Sequence, residues 1–231
     1  MSAELVITID GPSGSGKGTV ARAVARRLGW ALLDSGALYR LVALAGHQAG
    51  IDLGDAQRLA ELALGLDIHF GSSEASEERI WLAGEDVTAA IRSEAAGNDA
   101  SKVAALPAVR AALLDRQRRF AVAPGLVADG RDMGTVVFPS AKLKIFLTAS
   151  AEERAVRRYK QLKEKGVTAN LAALSLEIAE RDRRDTTRAV SPLVASADAV
   201  LLDTTGMPVD SVVERVLDIA RGRLPPGVLP G

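Results

Sequence analysis

The apolar run Leu5-Val6-Ile7-Thr8-Ile9 passes through Asp10 directly into Gly11-Pro12-Ser13-Gly14-Ser15-Gly16-Lys17-Gly18-Thr19. A strand that breaks into a glycine-rich turn ending in lysine leaves few folds open to a chain. Glycine at 11, 14 and 16 admits backbone angles closed to other residues, so successive N–H groups can turn toward a polyanion. Lys17 adds a mobile point charge for the outer phosphates. The helix predicted over Gly16 to Leu28 presents its positive end to the same place. Strand, loop, lysine and amphipathic helix in this order predict a nucleoside triphosphate site lined by Gly11, Pro12, Ser13, Gly14, Ser15, Gly16, Lys17, Gly18 and Thr19.

Composition narrows the remaining classes. At 231 residues the chain is long enough for one well-buried domain with a smaller module inserted. Twenty-nine basic residues balance 29 acidic ones, so no net field draws the protein to nucleic acid or to an anionic membrane. Cysteine is absent, which excludes disulfides and zinc–thiolate sites and fits a reducing cytoplasm. No signal peptide is visible, and no apolar run reaches the roughly 18 to 20 residues that span a bilayer. The expectation is a cytoplasmic protein that binds neither nucleic acid nor membrane.

Short apolar strands alternate with amphipathic helices, the pattern of a parallel sheet wound on both faces. Strands are predicted near Leu5 to Asp10, Ala31 to Leu33, Leu126 to Asp129, Leu143 to Thr148 and Ala199 to Leu202. Each is expected to end in a polar or glycine-bearing turn, and ligands bind such sheets at the carboxyl ends of the strands. Asp34-Ser35-Gly36 and Asp129-Gly130-Arg131-Asp132 would join the phosphate loop there. From Leu66 to Thr88 the pieces Asp67 to Phe70, Arg79 to Leu82 and Glu85-Asp86-Val87 read as a small antiparallel insert turned at Ala83-Gly84. Ala151 to Arg188 reads as two charged helices joined around Gly166-Val167-Thr168. The arginines there, Arg154, Arg157, Arg158, Arg181, Arg183, Arg184 and Arg188, suggest a lid that is mobile until phosphates lie between them. A solvated face stays an open alternative for Arg183 and Arg184. The segment from Leu224 to Gly231 reads as a frayed tail.

Phosphoryl transfer needs donor and acceptor in line, positive charge around them, and water excluded. Arginine suits the acceptor side because its planar fork grips a phosphate with two bonds. Arg40 and Arg131, each following a core strand, are candidates for a second phosphate site, with ion pairs to Asp34 or Asp129 as the alternative. A phosphate oxygen is already an anionic nucleophile, so no general base is required. His47 and His69 read as structural.

The phosphate loop, LLDSGALYR at 32–40, SKVAALPAVR at 101–110, ADGRDMGTVVFP at 128–139, KIFLTASAEERAVRR at 144–158 and ERDRRDTTRAVSPL at 180–193 together resemble the bacterial cytidylate kinase family. The resemblance runs from about Val6 to Leu217, insert included. It extends to Gly18, because nucleoside monophosphate kinases commonly end the loop in GKGT. It implies a phosphate-loop doubly wound α/β core with a small antiparallel β-containing insert and a helical lid. One kinase domain over 1–231 is implied, with a core at about 1–36, 121–150 and 190–224, an acceptor-binding region at about 37–120, and the lid at about 151–189. It implies transfer of the γ-phosphoryl group of ATP to CMP or dCMP by a monomer, with Mg2+ arriving on the nucleotide.

Residue by residue, the resemblance sets Ser101, Arg110 and Asp132 around the base and Asp185 at the ribose. Arg40, Arg131, Arg181 and Arg188 meet phosphates, with Lys17, Arg131, Arg181 and Arg188 as the catalytic cations. Ser35 and Tyr39 line the acceptor pocket, and Arg157 lies beside the donor. A carboxylate opposite a cationic donor suits cytosine, which offers an amino donor at N4 and acceptors at N3 and O2. With Gly18 after Lys17, direct metal ligation by the protein is not expected, and water-mediated contact by Asp10 or Thr19 is the alternative. A GTPase reading, drawn from Asp203-Thr204-Thr205-Gly206, lacks any NKxD partner. An ATP-holding module without an acceptor gives no reason for the second set of arginines. Within kinases, the competing reading is another small-metabolite kinase on the same scaffold.

Overall fold

Ile7 and Ile9 are fully buried because the strand that carries them is central to a five-stranded parallel sheet. The computed structural model describes residues 5–72, 78–164 and 166–228. In chain order its elements are β1 (Val6–Asp10), α1 (Lys17–Leu28), β2 (Ala31–Asp34), α2 (Ser35–Gln48), α3 (Ala56–Gly65), β3 (Ile68–Ser72), β4 (Glu78–Leu82), β5 (Glu85–Asp86), α4 (Thr88–Ile91), α5 (Glu94–Val103), α6 (Pro107–Arg118), β6 (Leu126–Gly130), a π-helical turn (Met133–Val137), β7 (Leu143–Thr148), α7 (Ala151–Glu164), α8 (Leu171–Thr187), β8 (Val200–Asp203) and α9 (Val209–Arg223). The chain divides into two compact units, Met1–Asp34 with Gln117–Gly231, and Ser35–Arg116.

In the first unit the strand order is β2-β6-β1-β7-β8, all parallel. Val20, Ala21, Val24, Ala25 and Leu28 of α1 recur at helical spacing and pack with Val212, Val213, Val216, Leu217 and Ala220 of α9 on Ile7, Ile9, Ile145 and Leu147. Gly29, left-handed at φ 64°, closes α1, and the N–H of Trp30 reaches back to the Ala25 carbonyl at 3.0 Å. Leu224 is buried in this same core, so the tail predicted to fray is anchored at its first residue, while 229–231 lie outside the described residues. β8 is an edge strand with Leu201 68% exposed, unlike the buried central strands.

In the second unit β3, β4 and β5 form an antiparallel sheet. Ile68 pairs with Leu82 and Phe70 with Ile80, which sets alternate side chains on one face. His69 lies opposite Trp81, ring centroids 5.4 Å apart. His47 pairs with Asp99 at 2.9 Å. Both histidines therefore have neighbours that account for them structurally.

One expected turn is absent. β2 runs straight into α2 at Ser35, so Asp34-Ser35-Gly36 is a strand end and a helix start. After β6 the chain enters the π-helical turn, because Asp10 accepts the N–H groups of Met133 (2.9 Å) and Gly134 (2.8 Å) and holds that backbone wide. The Asp203 motif is a local turn, its carboxylate accepting from Thr205 N and Oγ1. Among the described residues no helix is long and apolar enough to cross a membrane.

Candidate active site

Close approach explains the glycines of the phosphate loop. A Cβ on Gly11 would fall 2.1 Å from the Leu147 carbonyl oxygen, and one on Gly14 (φ 77°) would press on Arg154 of α7. Gly16, left-handed at φ 88°, caps the start of α1. Lys17 is buried, with Nζ donating to the Pro12 carbonyl at 3.0 Å. Burial, and then the charges of Arg131 and Arg181, push its ammonium from 10.5 down to about 7. Ser15 Oγ is buried without a hydrogen-bond partner among the described residues.

Parallel register sets Asp34 beside Asp129 and Asp10 beside Gly130, so three carboxylates gather at the ends of β2, β6 and β1. Burial and the neighbouring Asp34 and Asp10 raise the Asp129 carboxyl to about 7, against the pull of Lys17 and Arg131. Its Oδ1 has no hydrogen-bond partner among the described residues, while Oδ2 stands 3.0 Å from where a Gly18 Cβ would be. That proximity accounts for glycine in place of a hydroxyl residue after Lys17. The sequence sets Asp129 beside the phosphate loop and as an ion-pair alternative for Arg131, but nothing local marks it as a carboxylate whose charge acts on Lys17.

A buried carboxylate oxygen with no partner, beside the phosphate loop, suits a magnesium hydrate delivered on a nucleotide. Asp129 fits that role better than Asp10, whose two oxygens already accept backbone N–H groups. Among the described residues no cluster of three or more His, Cys, Asp or Glu could hold a metal by itself.

Arg131 Nε donates to Asp185 Oδ2 at 2.8 Å, in place of the Asp34 or Asp129 partner considered from sequence. Burial opposes the Asp185 charge, yet Arg131, with Arg181 and Arg188, holds its carboxyl below the usual range. Lys17, Arg131, Arg181, Asp185 and Arg188 are thus brought into mutual electrostatic reach within the first unit. Arg188 caps α8 and its Nε donates to the Ser191 carbonyl. Asp132, 3% exposed, directly precedes the π-helical turn.

The arginines of α7 and α8 do not await phosphate to find partners, as the lid expectation supposed. Arg154 pairs with Asp182, Arg157 with Glu153, and Arg183 and Arg184 with Glu180. Arg183 is 64% exposed in its side chain and is a solvated surface residue. Arg157 touches the Ser15 carbonyl (3.3 Å) and Thr204 Oγ1 (3.1 Å), which sets it against the phosphate loop.

The second unit carries the other candidates. Ser35 and Tyr39 are buried on α2, and Arg40 keeps a buried Nε without a hydrogen-bond partner among the described residues. Ser101 on α5 is buried with Oγ likewise unpartnered. Arg110 on α6 lies over the Tyr39 ring, 5.6 Å from its centroid, and donates to the Ala104 carbonyl at 3.1 Å.

A parallel sheet with a lysine-bearing loop between β1 and α1, and arginines gathered behind that loop, defines a phosphate-loop kinase, a phosphotransferase. The cytidylate kinase family model matches residues 7–222, and the chain belongs to that family. It is 62% identical to the cytidylate kinase of Azotobacter vinelandii over 214 residues, 92% of this chain and 93% of that protein. The cytidylate kinase of Pseudomonas fluorescens is likewise 62% identical over 213 residues, with the same coverage. An uncharacterized protein from Eubacterium ventriosum shares the fold at 10% identity, with a TM-score of 0.53 over 96% of this chain and all of that one.

Proposed function

We propose that this kinase transfers the γ-phosphoryl group of ATP to CMP or dCMP, giving ADP and CDP or dCDP. The observation that carries the reading is Lys17, buried in the glycine-rich loop with Nζ on the Pro12 carbonyl and within electrostatic reach of Arg131 and Arg181, in a chain of the cytidylate kinase family. Two nucleotide phosphates would bring negative charge that these cations can hold. Ser15 Oγ, Asp129 Oδ1, Arg40 Nε and Ser101 Oγ have no hydrogen-bond partner among the described residues. A buried polar atom gains about 1–3 kcal/mol from a partner, and a hydrated nucleotide at each site would offer one.

In this reaction an anionic oxygen of the CMP phosphate attacks the γ-phosphorus in line. A new oxygen–phosphorus bond forms, the bridge to the β-phosphate breaks, and ADP leaves with the bonding electrons. Lys17, Arg131, Arg181 and Arg188 stabilise the charge on the transferred group, and the loop from Gly11 to Thr19 holds the donor phosphates. Asp129 would hold, through water, the Mg2+ that arrives with ATP, and the ion would supply neutralisation of phosphate charge. Asp132, Arg110 and Ser101 are assigned to the cytosine base, and Asp185 to the ribose hydroxyls. Ser35, Tyr39 and Arg40 complete the acceptor pocket, and Arg157 flanks the donor.

The test is ADP formation from ATP with a panel of acceptors: CMP, dCMP, UMP, AMP, GMP and small hydroxy-metabolites. CMP and dCMP should be the fastest. ADP formation that no nucleotide accelerates, or that UMP accelerates most, would overturn the assignment.

A further inference from the structure

The carbonyl groups of the phosphate loop are gripped from behind. Arg154 Nη1 donates to the Ser13 carbonyl at 2.9 Å, and Arg157 Nη1 donates to the Ser15 carbonyl at 3.3 Å. In a planar trans peptide the carbonyl and the following N–H point in opposite directions. A Ser13 carbonyl held toward α7 therefore turns the Gly14 N–H away from α7. The left-handed Gly14 permits this, and a Cβ there would stand 3.1 Å from the Arg154 Cβ.

Arg154 is 5% exposed, a burial that an arginine sustains only when its donors are satisfied. Nε donates to the Ala149 carbonyl at 3.1 Å, and the fork meets both Asp182 oxygens at 3.0 and 2.5 Å. A guanidinium with two of its edges fixed has one orientation left for the bond to Ser13. Lysine could supply the charge at this position but not the three directions at once.

We infer that Arg154 is a positioning residue for donor binding: anchored by Asp182 and the Ala149 carbonyl, it orients the Ser13–Gly14 peptide so that the Gly14 N–H faces the donor phosphates. The inference rests on the reading of this loop as the donor site. Arg154 acts through the loop and is assigned no contact with either nucleotide.

Calorimetry on the full chain with a non-hydrolysable ATP analogue plus magnesium, and separately with CMP, tests this. Arg154→Lys weakens the analogue by about tenfold or more and shifts CMP by less than about twofold. Asp182→Asn weakens the analogue in the same direction by less. The double variant is no weaker than Arg154→Lys alone, because both changes free the same fork. Analogue binding within about twofold of wild type in folded Arg154→Lys overturns the inference. So does equal weakening of both nucleotides in step with a fall in Tm, the mark of a purely structural role. If Arg154→Lys does not fold, Asp182→Asn decides by itself, and unchanged analogue binding there overturns it. A wild type that binds the analogue but not CMP would refute the acceptor assignment and leave this test intact.

Discussion

Arg131 and Asp185 meet at 2.8 Å with both side chains largely buried, so the empty protein uses one proposed substrate contact to neutralise another. Removing one partner of a buried pair leaves a charge uncompensated, and Asp185→Asn should cost about 3 kcal/mol at neutral pH. The sign of the pH dependence follows from the lowered Asp185 carboxyl. A depressed carboxylate contributes stability that is present above its unfolded pKa, about 3.9, and lost as pH falls through the folded value. Urea unfolding of wild type and Asp185→Asn should therefore differ by a constant amount from about pH 5 to 8, with the gap narrowing below about pH 4. A gap that closes at neutral pH would show that another group carries the pairing.

Lys17 sits at about 7 without ligand, so near pH 8 it is mostly neutral. In the empty protein this depression is a destabilising term, fully present below about pH 7 and relieved as pH rises toward the unfolded value of about 10.4. Donor phosphates supply the opposite charge and restore the ammonium. Binding of the ATP analogue near pH 8 should take up about one proton, and donor affinity should fall by up to tenfold per pH unit above 7. Calorimetry in two buffers of different ionisation enthalpy measures the uptake. Lys17→Met should abolish it, and a wild type that takes up none would remove Lys17 from the phosphate contact.

Gly18→Ala sets helix propensity against geometry. Alanine favours the first turn of α1 by about 1 kcal/mol. Its Cβ, however, stands 3.0 Å from Asp129 Oδ2 and displaces that carboxylate. The expected outcome is an unchanged or slightly higher Tm with kcat lowered about tenfold, close to 1.4 kcal/mol in the barrier. Full activity would mean that the Asp129 position is not needed for turnover.

Asp132→Asn tests base reading. An ionised Asp132 accepts from cytosine N4 but opposes the O4 acceptor of uracil, at a cost of about 1–3 kcal/mol. Wild type should prefer CMP over UMP by roughly tenfold to several hundredfold in kcat/KM. The amide can turn to donate or accept, so the variant should compress that ratio mainly by losing CMP activity. An unchanged ratio would take Asp132 out of base recognition.

The three central strands were legible because parallel strands buried on both faces are written as apolar runs, and Ile7, Ile9 and Ile145 sit where that pattern sets them. The phosphate loop was legible because its glycines answer to backbone geometry within nine consecutive residues. A proline- and glycine-rich flank does not reveal that Leu224, at the head of the tail expected to fray, is buried in the core with α1 and α9.

By itself, then, the sequence determined the elements, the loop that holds phosphate and the family to which the chain belongs, since each rests on residues near one another or on motifs in a set order. Tertiary structure alone decided which carboxylate each arginine meets. Arg131 with Asp185, Arg154 with Asp182, and Asp129 beside Lys17 and Gly18 join residues far apart in the chain. Any of 29 acidic side chains could have served each cation. Charge pairing depends on distance and burial, and both arise only when the sheet register brings the strand ends together.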